Sequence, residues 1–275
     1  MVSIRFLGTG GARFVVARQI RASGGIWLRF ENGENNSATQ IHLDPGPGAL
    51  VRALSCVPPC APEELTGIVL SHKHLDHAGD VNAMIEAMTI GGYRRHGTLL
   101  APADAYAGEA VIFPYAARFV QTQHVTQAHG GPYQIGTVEI RSSLRHQHGV
   151  ETYGLHFRHE NTCISYLPCT RYFDALIDDY RSHEPDVLII NVLRFRDALE
   201  VDHLTFFEAR DLIAGIRPRV AVMTHFGTKM LEQDPDRLAR ELEDELGLRV
   251  LAARDGWTLD VTSEIAAAHE RESFA

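Results

Sequence analysis

The heptapeptide SHKHLDH, residues 71–77, places three histidines and one aspartate within seven positions. These four side chains are more metal ligands than one tetrahedral zinc site normally takes from so short a segment. The apolar run GIVL precedes the heptapeptide and the periodic segment VNAMIEAM follows it, which predicts a position between a buried strand and a helix. Loops at the carboxyl ends of strands often carry the chemistry of α/β proteins. We therefore interpret the heptapeptide as part of a metal site rather than as a hydrophilic surface turn.

The spacing inside the heptapeptide predicts two half-sites. His72 and His74 are two residues apart in extended chain, so their side chains can lean to the same side. Asp76 and His77 are adjacent on the first turn of the helix and point in different directions. We expect the two histidines to share one ion, while the second pair faces another ion alongside.

The composition narrows the function classes. The chain has 275 residues with 45% hydrophobic and 22% charged residues, as is usual for globular proteins, and its net charge of −9 argues against a basic nucleic-acid-binding surface. The start, MVSIRFLGTGG, has no basic region followed by a long apolar one, and no apolar run approaches 18 residues. We therefore expect a cytoplasmic protein without a signal peptide or a membrane span.

The four cysteines are not expected to form a disulfide framework, because such frameworks are rare in cytosolic chains. Cys56 and Cys60, in SCVPPC, have no second pair of ligands at the spacing of a zinc ribbon. Both are predicted to be loop or packing thiols.

Strand-like and helix-like segments are mixed along the whole chain. Strands are expected at 3–9, 24–30, 40–46 and 67–72, for example, and at both ends of the sequence. Thr205 and Glu208 form a T-x-x-E capping box at the start of one helix. No repeat or low-complexity linker divides the chain, so we predict one α/β domain over 1–262, with sheets flanked by helices, and a C-terminal helix or tail over 263–275.

SHKHLDH resembles the H-x-H-x-D-H signature of the metallo-β-lactamase superfamily. FLGTGG at the first strand and IHLDPGPG before the histidines also resemble that superfamily's opening. The resemblance extends from Phe6 to about Gly227. It implies the four-layer αββα sandwich of the metallo-β-lactamase fold and a site for two metal ions.

The resemblance implies further ligands later in the chain. His148 precedes Gly154 by six residues, as in the family's third segment, and His225 ends a buried strand, as the last ligand does. His146 does not fit that spacing and is expected beside a ligand or at the surface. One ion would then take His72, His74 and His148, and the other Asp76, His77 and His225.

The acidic ligand is where the sequence departs from the family. After the strand TCISYLP the family usually has an aspartate that bridges two metals, and Cys169 stands in that position. A thiolate can ligate zinc, but its bonds are longer than those of a carboxylate. Cys169 is therefore expected near both ions, at a second site that is weakened, oxidisable or selective for another ion. Asp44 resembles the family's early aspartate and is expected to accept a hydrogen bond from a ligating imidazole.

The segment VDHLTFFEAR resembles the H-[LS]-T segment of the branch that contains tRNA 3′-processing ribonuclease Z and cyclic phosphodiesterases. In that branch the histidine faces the metals, which suggests His203 as general acid, with Asp76 as the second catalytic residue. The alternative is that His203 helps to cap the helix. Arg18 and Arg21 are candidates for holding a phosphate, with ordinary surface charge as the alternative.

The leading hypothesis is a metal-dependent hydrolase with two divalent ions, zinc first and manganese or iron as alternatives, that attacks a small or cyclic phosphodiester through a metal-bridging hydroxide. The alternatives are an ester, thioester or lactam hydrolase, and a metal-binding protein in which Cys169 has abolished turnover. We expect a small phosphorylated substrate rather than nucleic acid, and no membrane. The superfamily also suggests a homodimer.

Overall fold

Two seven-stranded sheets lie face to face in the structure, a computed structural model that describes residues 1–33, 37–196 and 201–274. Helices cover both outer faces, so the predicted αββα sandwich is confirmed. The strands are β1 (Val2–Phe6), β2 (Ile26–Asn32), β3 (Ser37–Leu43), β4 (Gly67–Val69), β5 (His96–Pro102), β6 (Val120–Thr126), β7 (Tyr133–Ile135), β8 (Val138–Arg145), β9 (Tyr153–His159), β10 (Thr162–Leu167), β11 (Val187–Asn191), β12 (Val220–Thr224), β13 (Arg249–Ala252) and β14 (Thr258–Asp260).

The helices begin where the chain leaves the sheets. They are α1 (Ala12–Arg18), α2 (Ala49–Ser55), α3 (Leu75–Ala78), α4 (Val81–Met88), α5 (Pro114–Ala117), α6 (Ala175–Arg181), α7 (Phe206–Ile216), α8 (Thr228–Leu231), α9 (Pro235–Leu246) and α10 (Val261–Phe274). Short 3-10 helices occupy Pro62–Glu64 and Ala103–Ala105. The capping box of α7 is present, since the Thr205 hydroxyl accepts from the Glu208 N–H and the Glu208 carboxylate accepts from the Thr205 N–H.

The two sheets contain both parallel and antiparallel pairs. The first has the order β14-β1-β2-β3-β4-β5-β6 and the second β13-β12-β11-β10-β9-β8-β7. Alternate residues of β1, such as Ile4 and Phe6, point into the core between the sheets. By contrast, β11 and β12 are buried on both faces, as expected of parallel strands covered by helices.

Several of the predicted site residues lie at the carboxyl ends of parallel strands. β3 is parallel to β4, and β10, β11 and β12 are parallel to one another. Asp44, the heptapeptide, Cys169, Asn191 and His225 end or follow these strands. One end of the sandwich therefore collects side chains that are far apart in the sequence.

The last described residues form α10, and the division into a domain over 1–262 and a tail over 263–275 stays a prediction. Among the described residues, no helix combines the length and the apolar character needed to cross a membrane. The cytoplasmic location stays a prediction.

Candidate metal centre

The first cluster of nitrogen donors joins His72, His74 and His148. The Nε2 atom of His148 lies 2.9 Å from Nδ1 of His74, and one ligand atom from each of the three residues lies within 4.8 Å of the others. The Nδ1 atom of His72 contacts the Ser71 hydroxyl at 3.0 Å, which leaves Nε2 buried and without a hydrogen-bond partner among the described residues. A buried nitrogen of this kind needs a partner, and a cation satisfies it.

The second cluster joins Asp76, His77 and His225. The Nε2 atoms of the two histidines lie 2.9 Å apart, and Oδ2 of Asp76 lies 3.2 Å from Nε2 of His225. The backbone N–H of Ala12 donates to the same Oδ2 at 3.0 Å, so the loop after β1 holds the carboxylate in place. The structure therefore brings together the residues of each predicted half-site, and their role as metal ligands stays a prediction.

Cys169 lies between the clusters and is only 2% exposed. Its Sγ is 3.6 Å from Nε2 of His77 and 3.7 Å from Nε2 of His225. Sulfur and nitrogen ligands of one tetrahedral zinc ion would be about 3.5 Å apart, given bonds near 2.3 and 2.0 Å. The Cys169 sulfur also lies within 4.8 Å of one ring nitrogen of His72 and of one ring nitrogen of His148. The side chains present therefore fit divalent metal ions, and the thiol faces both half-sites.

Asp44 lies beneath the second cluster. Its Oδ2 accepts from Nδ1 of His77 at 2.8 Å, from the Ser71 hydroxyl at 2.6 Å and from the Tyr166 hydroxyl at 3.0 Å. Its Oδ1 accepts from the Ser71 N–H at 2.7 Å. Because the carboxylate holds a proton at Nδ1 of His77, Nε2 is the nitrogen that faces His225 and would bind a cation.

The electrostatics of the centre favour a bound cation. Burial and the charge of His77 lower the pKa of His72 to about 3, so its imidazole is neutral, as ligation requires. Burial raises the pKa of Cys169, but the neighbouring His225 and His77 hold it well below its usual range. Burial lowers the pKa of His77, yet Asp76, Cys169 and Asp44 raise it well above its usual range. Negative groups thus converge on the position that a metal ion would take.

His203 lies at the rim of the centre, ahead of the cap of α7. Its ring centroid is 5.1 Å from that of His148 and 6.2 Å from that of His225. One of its nitrogens lies within 4.8 Å of the Cys169 sulfur. The helix is capped by Thr205 rather than by His203, so the imidazole faces the cluster.

Two glycines allow the chain to approach the centre closely. A Cβ at Gly11 would lie 2.2 Å from Nδ1 of His225, and a Cβ at Gly46 would lie 2.0 Å from the carbonyl oxygen of Asp76. The FLGTGG and DPGPG segments are therefore packed against the ligands themselves. No side chain larger than hydrogen fits at either position without a shift of the neighbouring atoms.

Arg18 and Arg21, the two arginines predicted to hold phosphate, differ from each other in their surroundings. Arg18 is exposed at the last turn of α1, and Arg21 donates to the Thr9 hydroxyl at 3.1 Å.

His146 is buried, with its Nδ1 3.3 Å from the Cys169 carbonyl and its Nε2 3.1 Å from the Tyr180 hydroxyl. It therefore lies beside a predicted ligand, which is one of the two positions expected for it.

A cleft beside the second cluster contains cationic residues that the sequence analysis does not single out. Its volume is about 290 Å³, and the loop residues Gly11 and Gly227, which flank His225, form part of its wall. Phe14 lines it with 70% of its side chain exposed. Three cationic residues also line it: Arg194, Arg196 and Lys229. Arg194 and Arg196 lie in the segment after β11 and Lys229 lies in α8, so no single local pattern could have indicated the group.

Comparisons with known proteins agree with this geometry. A family model described as a beta-lactamase superfamily domain matches residues 39–226. An uncharacterized protein of Methanocaldococcus jannaschii is 28% identical over 268 residues, which cover 94% of this chain and 95% of that protein. The probable metallo-hydrolase YhfI of Bacillus subtilis is 23% identical over 233 residues, covering 83% of this chain and 89% of that protein.

Solved structures with the same architecture include YhfI itself, with a TM-score of 0.72 at 19% identity, covering 94% of this chain and 98% of that chain. A diphosphatase of the PhnP family has a TM-score of 0.63 at 18% identity, with coverage of 94% and 96%. The short form of human tRNase Z has a TM-score of 0.65 at 14% identity, with coverage of 94% and 99%. At these identities the structures show that the fold is shared, and nothing finer.

Proposed function

The chain belongs to the metallo-β-lactamase superfamily of metal-dependent hydrolases, and from this premise we propose that it hydrolyses a small or cyclic phosphodiester. The observation that carries the proposal is the position of His203, whose ring lies against His148 at the rim of the two ligand clusters. An imidazole there can protonate the leaving oxygen of a phosphodiester. The PhnP-family diphosphatase and tRNase Z, which share the fold, act on phosphorus centres by their names.

We assign two divalent cations to the centre, zinc first, with manganese or iron as alternatives. His72, His74 and His148 would hold one, Asp76, His77 and His225 the other, and Cys169 lies between them. Bound there, the cations would lower the pKa of a coordinated water towards neutrality and polarise the phosphoryl oxygens.

The protein's own groups prepare the site for that chemistry. The Ala12 N–H donates to Oδ2 of Asp76 at 3.0 Å and so orients the carboxylate towards His225. Asp44 fixes the tautomer of His77 through Nδ1 at 2.8 Å. His203 holds the proton that the leaving oxygen takes. These groups are in place before the reaction begins, so they need not rearrange in the transition state.

We assign the cleft lined by Phe14, Arg194, Arg196 and Lys229 to the part of the substrate that does not react. Guanidinium and ammonium groups bind a second anionic group, and the exposed phenyl ring offers a surface for an apolar or aromatic moiety. This assignment replaces Arg18 and Arg21 as the phosphate-binding residues of the proposal. The net charge of −9 does not conflict with it, since the positive residues are local. A homodimer stays a prediction.

Hydrolysis of bis(p-nitrophenyl) phosphate tests the proposal. We expect turnover by the metal-loaded protein, with unchanged metal content in His203→Ala. For a cyclic phosphodiester whose leaving group is an alkoxide, we expect a kcat lower by about 10² or more in His203→Ala, whereas the p-nitrophenolate of the first substrate leaves without a proton and its kcat should fall less. His124→Ala is a matched control, because His124 lies on β6, outside the two ligand clusters, with its ring tilted against that of Tyr133 on β7. Full metal content without turnover of this or any cyclic phosphodiester would refute the phosphodiesterase. Fewer than one ion per chain in protein purified without chelators would refute the whole centre.

A specific observation favours a second candidate, the hydrolysis of a lactam, ester or thioester. Asp76, Cys169 and His225 lie together, and an aspartate–cysteine–histidine set resembles that of some true β-lactamases. Turnover of nitrocefin or thioesters without phosphodiester turnover would favour it. Full metal occupancy with activity only after Cys169→Asp would instead identify a metal-binding protein whose thiol has abolished turnover.

A further inference from the structure

Two thiols that the proposed chemistry does not use lie together on the helix-covered face of the first sheet. Cys56 directly follows α2, and Cys60 lies four residues further on, in the apolar cluster under α2 and α4. Their sulfur atoms are 3.5 Å apart, and both are free thiols. Cys60 is 8% exposed and Cys56 is half-buried, so Cys56 is the more exposed of the two residues.

An arginine on the neighbouring strand makes the two thiols unequal. Arg5, on β1, donates through Nη1 to the Cys56 sulfur at 3.0 Å and to the Pro58 carbonyl at 2.6 Å. Its Nε donates to the Thr258 hydroxyl at 2.8 Å, which anchors the guanidinium. A fixed positive charge beside one sulfur favours the thiolate, which is the nucleophilic form.

The electrostatics follow this arrangement. Partial burial raises the pKa of the Cys56 thiol, but the hydrogen bonds from Arg5 and Cys60 bring it below its ordinary value. Burial and the adjacent Cys56 raise the pKa of Cys60 to about 12. The Cys56 sulfur is therefore suited to be the attacking group, and the Cys60 sulfur stays protonated until a proton acceptor arrives.

The surface beside the pair has room for a small molecule. A cleft of about 170 Å³ is lined by Cys60, Arg5 and Arg29, together with Pro58 and Pro59. We infer that Cys56 and Cys60 form a dithiol site that exchanges reversibly with low-molecular-weight disulfides of the glutathione type, with Cys56 as the attacking thiol and Cys60 as the resolving thiol. The guanidinium of Arg29 suits a carboxylate of such a disulfide, and the acidic residue of the lining, Glu64, accepts a hydrogen bond from Gln40.

The exchange balances without another reactant. The Cys56 thiolate attacks one sulfur of the disulfide, a mixed disulfide forms, and one thiolate leaves. That thiolate takes the proton of Cys60, whose sulfur then attacks Sγ of Cys56 and expels the second thiolate. Two protein thiols are oxidised to one disulfide and the small disulfide is reduced to two thiols. The protein sulfurs must close from 3.5 Å to about 2.05 Å.

The test incubates the metal-loaded protein with glutathione disulfide as the probe. Alkylation, measurement of the intact mass and peptide mapping then identify which sulfurs have reacted. We expect a Cys56–Cys60 disulfide that dithiothreitol reverses. Cys60→Ser is expected to stop at a mixed disulfide on Cys56, while Cys56→Ser forms none at Cys60. Arg5→Lys keeps the positive charge but loses the planar guanidinium with its several fixed donors. It is expected to slow mixed-disulfide formation about three- to tenfold.

Cys163→Ser is the matched control, because Cys163 is a buried thiol on β10 outside this site, and it is expected to behave like the unaltered chain. Thermal unfolding shows that each variant is folded. The inference is overturned if folded protein forms no Cys56–Cys60 disulfide while free cysteine exchanges under the same conditions. It is also overturned if Cys60 forms the mixed disulfide as fast in Cys56→Ser as Cys56 does in Cys60→Ser.

Discussion

The Nε2 atoms of His77 and His225 lie 2.9 Å apart, although 148 positions separate the two residues in the chain. His77 comes from the helix after β4 and His225 from the end of β12, so each sheet contributes one imidazole. The contact shows that the candidate centre spans the two sheets. A change that moves either imidazole is therefore expected to affect metal binding first, and the stability of the sheets less.

Asp44→Asn should weaken metal binding. The carboxylate accepts from His77, from the Ser71 hydroxyl and N–H, and from Tyr166, and an amide cannot accept at both of its polar atoms. Partners that orient a ligating histidine are typically worth 10- to 100-fold in affinity, so we expect a loss of about that size. Competition with a chelator measures it. Asp186→Asn, which alters a carboxylate that accepts from the Cys163 N–H, is the control and should leave metal affinity unchanged.

Gly11→Ala should displace His225. The added methyl carbon would lie 2.2 Å from Nδ1 of the imidazole, so the ring or the loop after β1 must move. We expect the loss of about one metal ion per chain and of most hydrolytic activity, with the fold retained. Gly149→Ala is the control, because no atom lies within 4 Å of the added carbon there. The number of metal ions per chain is measured in both variants. An equal metal content in Gly11→Ala and Gly149→Ala would contradict the prediction.

Replacement of the native metal by cobalt tests whether Cys169 is a ligand. A thiolate bound to cobalt absorbs in the near ultraviolet, and the Cys169 sulfur lies 3.6–3.7 Å from two histidine nitrogens. We expect this absorption in the unaltered chain and in Cys163→Ser. It should vanish in Cys169→Ser and in Cys169→Asp, and only the aspartate should keep two ions, because a carboxylate can bridge them. Persistence of the band in Cys169→Ser would rule the thiol out as a ligand.

Arg196→Met tests the cleft beside the centre. Arg196 lines the cleft, and its guanidinium lies 5.3 Å from the ring centroid of Phe195. For a phosphodiester with a second anionic group we expect the KM to rise about 10-fold with little change in kcat, because the lost contact binds substrate and transition state alike. Bis(p-nitrophenyl) phosphate lacks that group, and its KM should change little. Arg181→Met, on the exposed face of α6, is the control. A KM that rises equally for both substrates would contradict the assignment.

Local patterns in the sequence predict much of this architecture. The apolar alternation of β1, the buried runs of β11 and β12, and the capping box of α7 depend on neighbours in the chain, and each is present in the structure. β6 is different. It is an edge strand with several exposed residues, so it has no clear apolar alternation and no local signal. The short helix α1 likewise buries only Val15.

The sequence by itself determined which atoms could meet within one loop. The spacing of His72, His74, Asp76 and His77 separates two ligand pairs, because side chains two residues apart in extended chain share a side and neighbours on a helical turn do not. Only the tertiary structure decided what those pairs face. The parallel register of β10, β11 and β12 carries Cys169 and His225 to the same end of the sandwich as the heptapeptide. That packing also brings Phe14, Arg194 and Lys229 to one cleft. Contacts between segments so far apart in the chain are set by strand pairing, so no spacing of residues in the sequence could have predicted them.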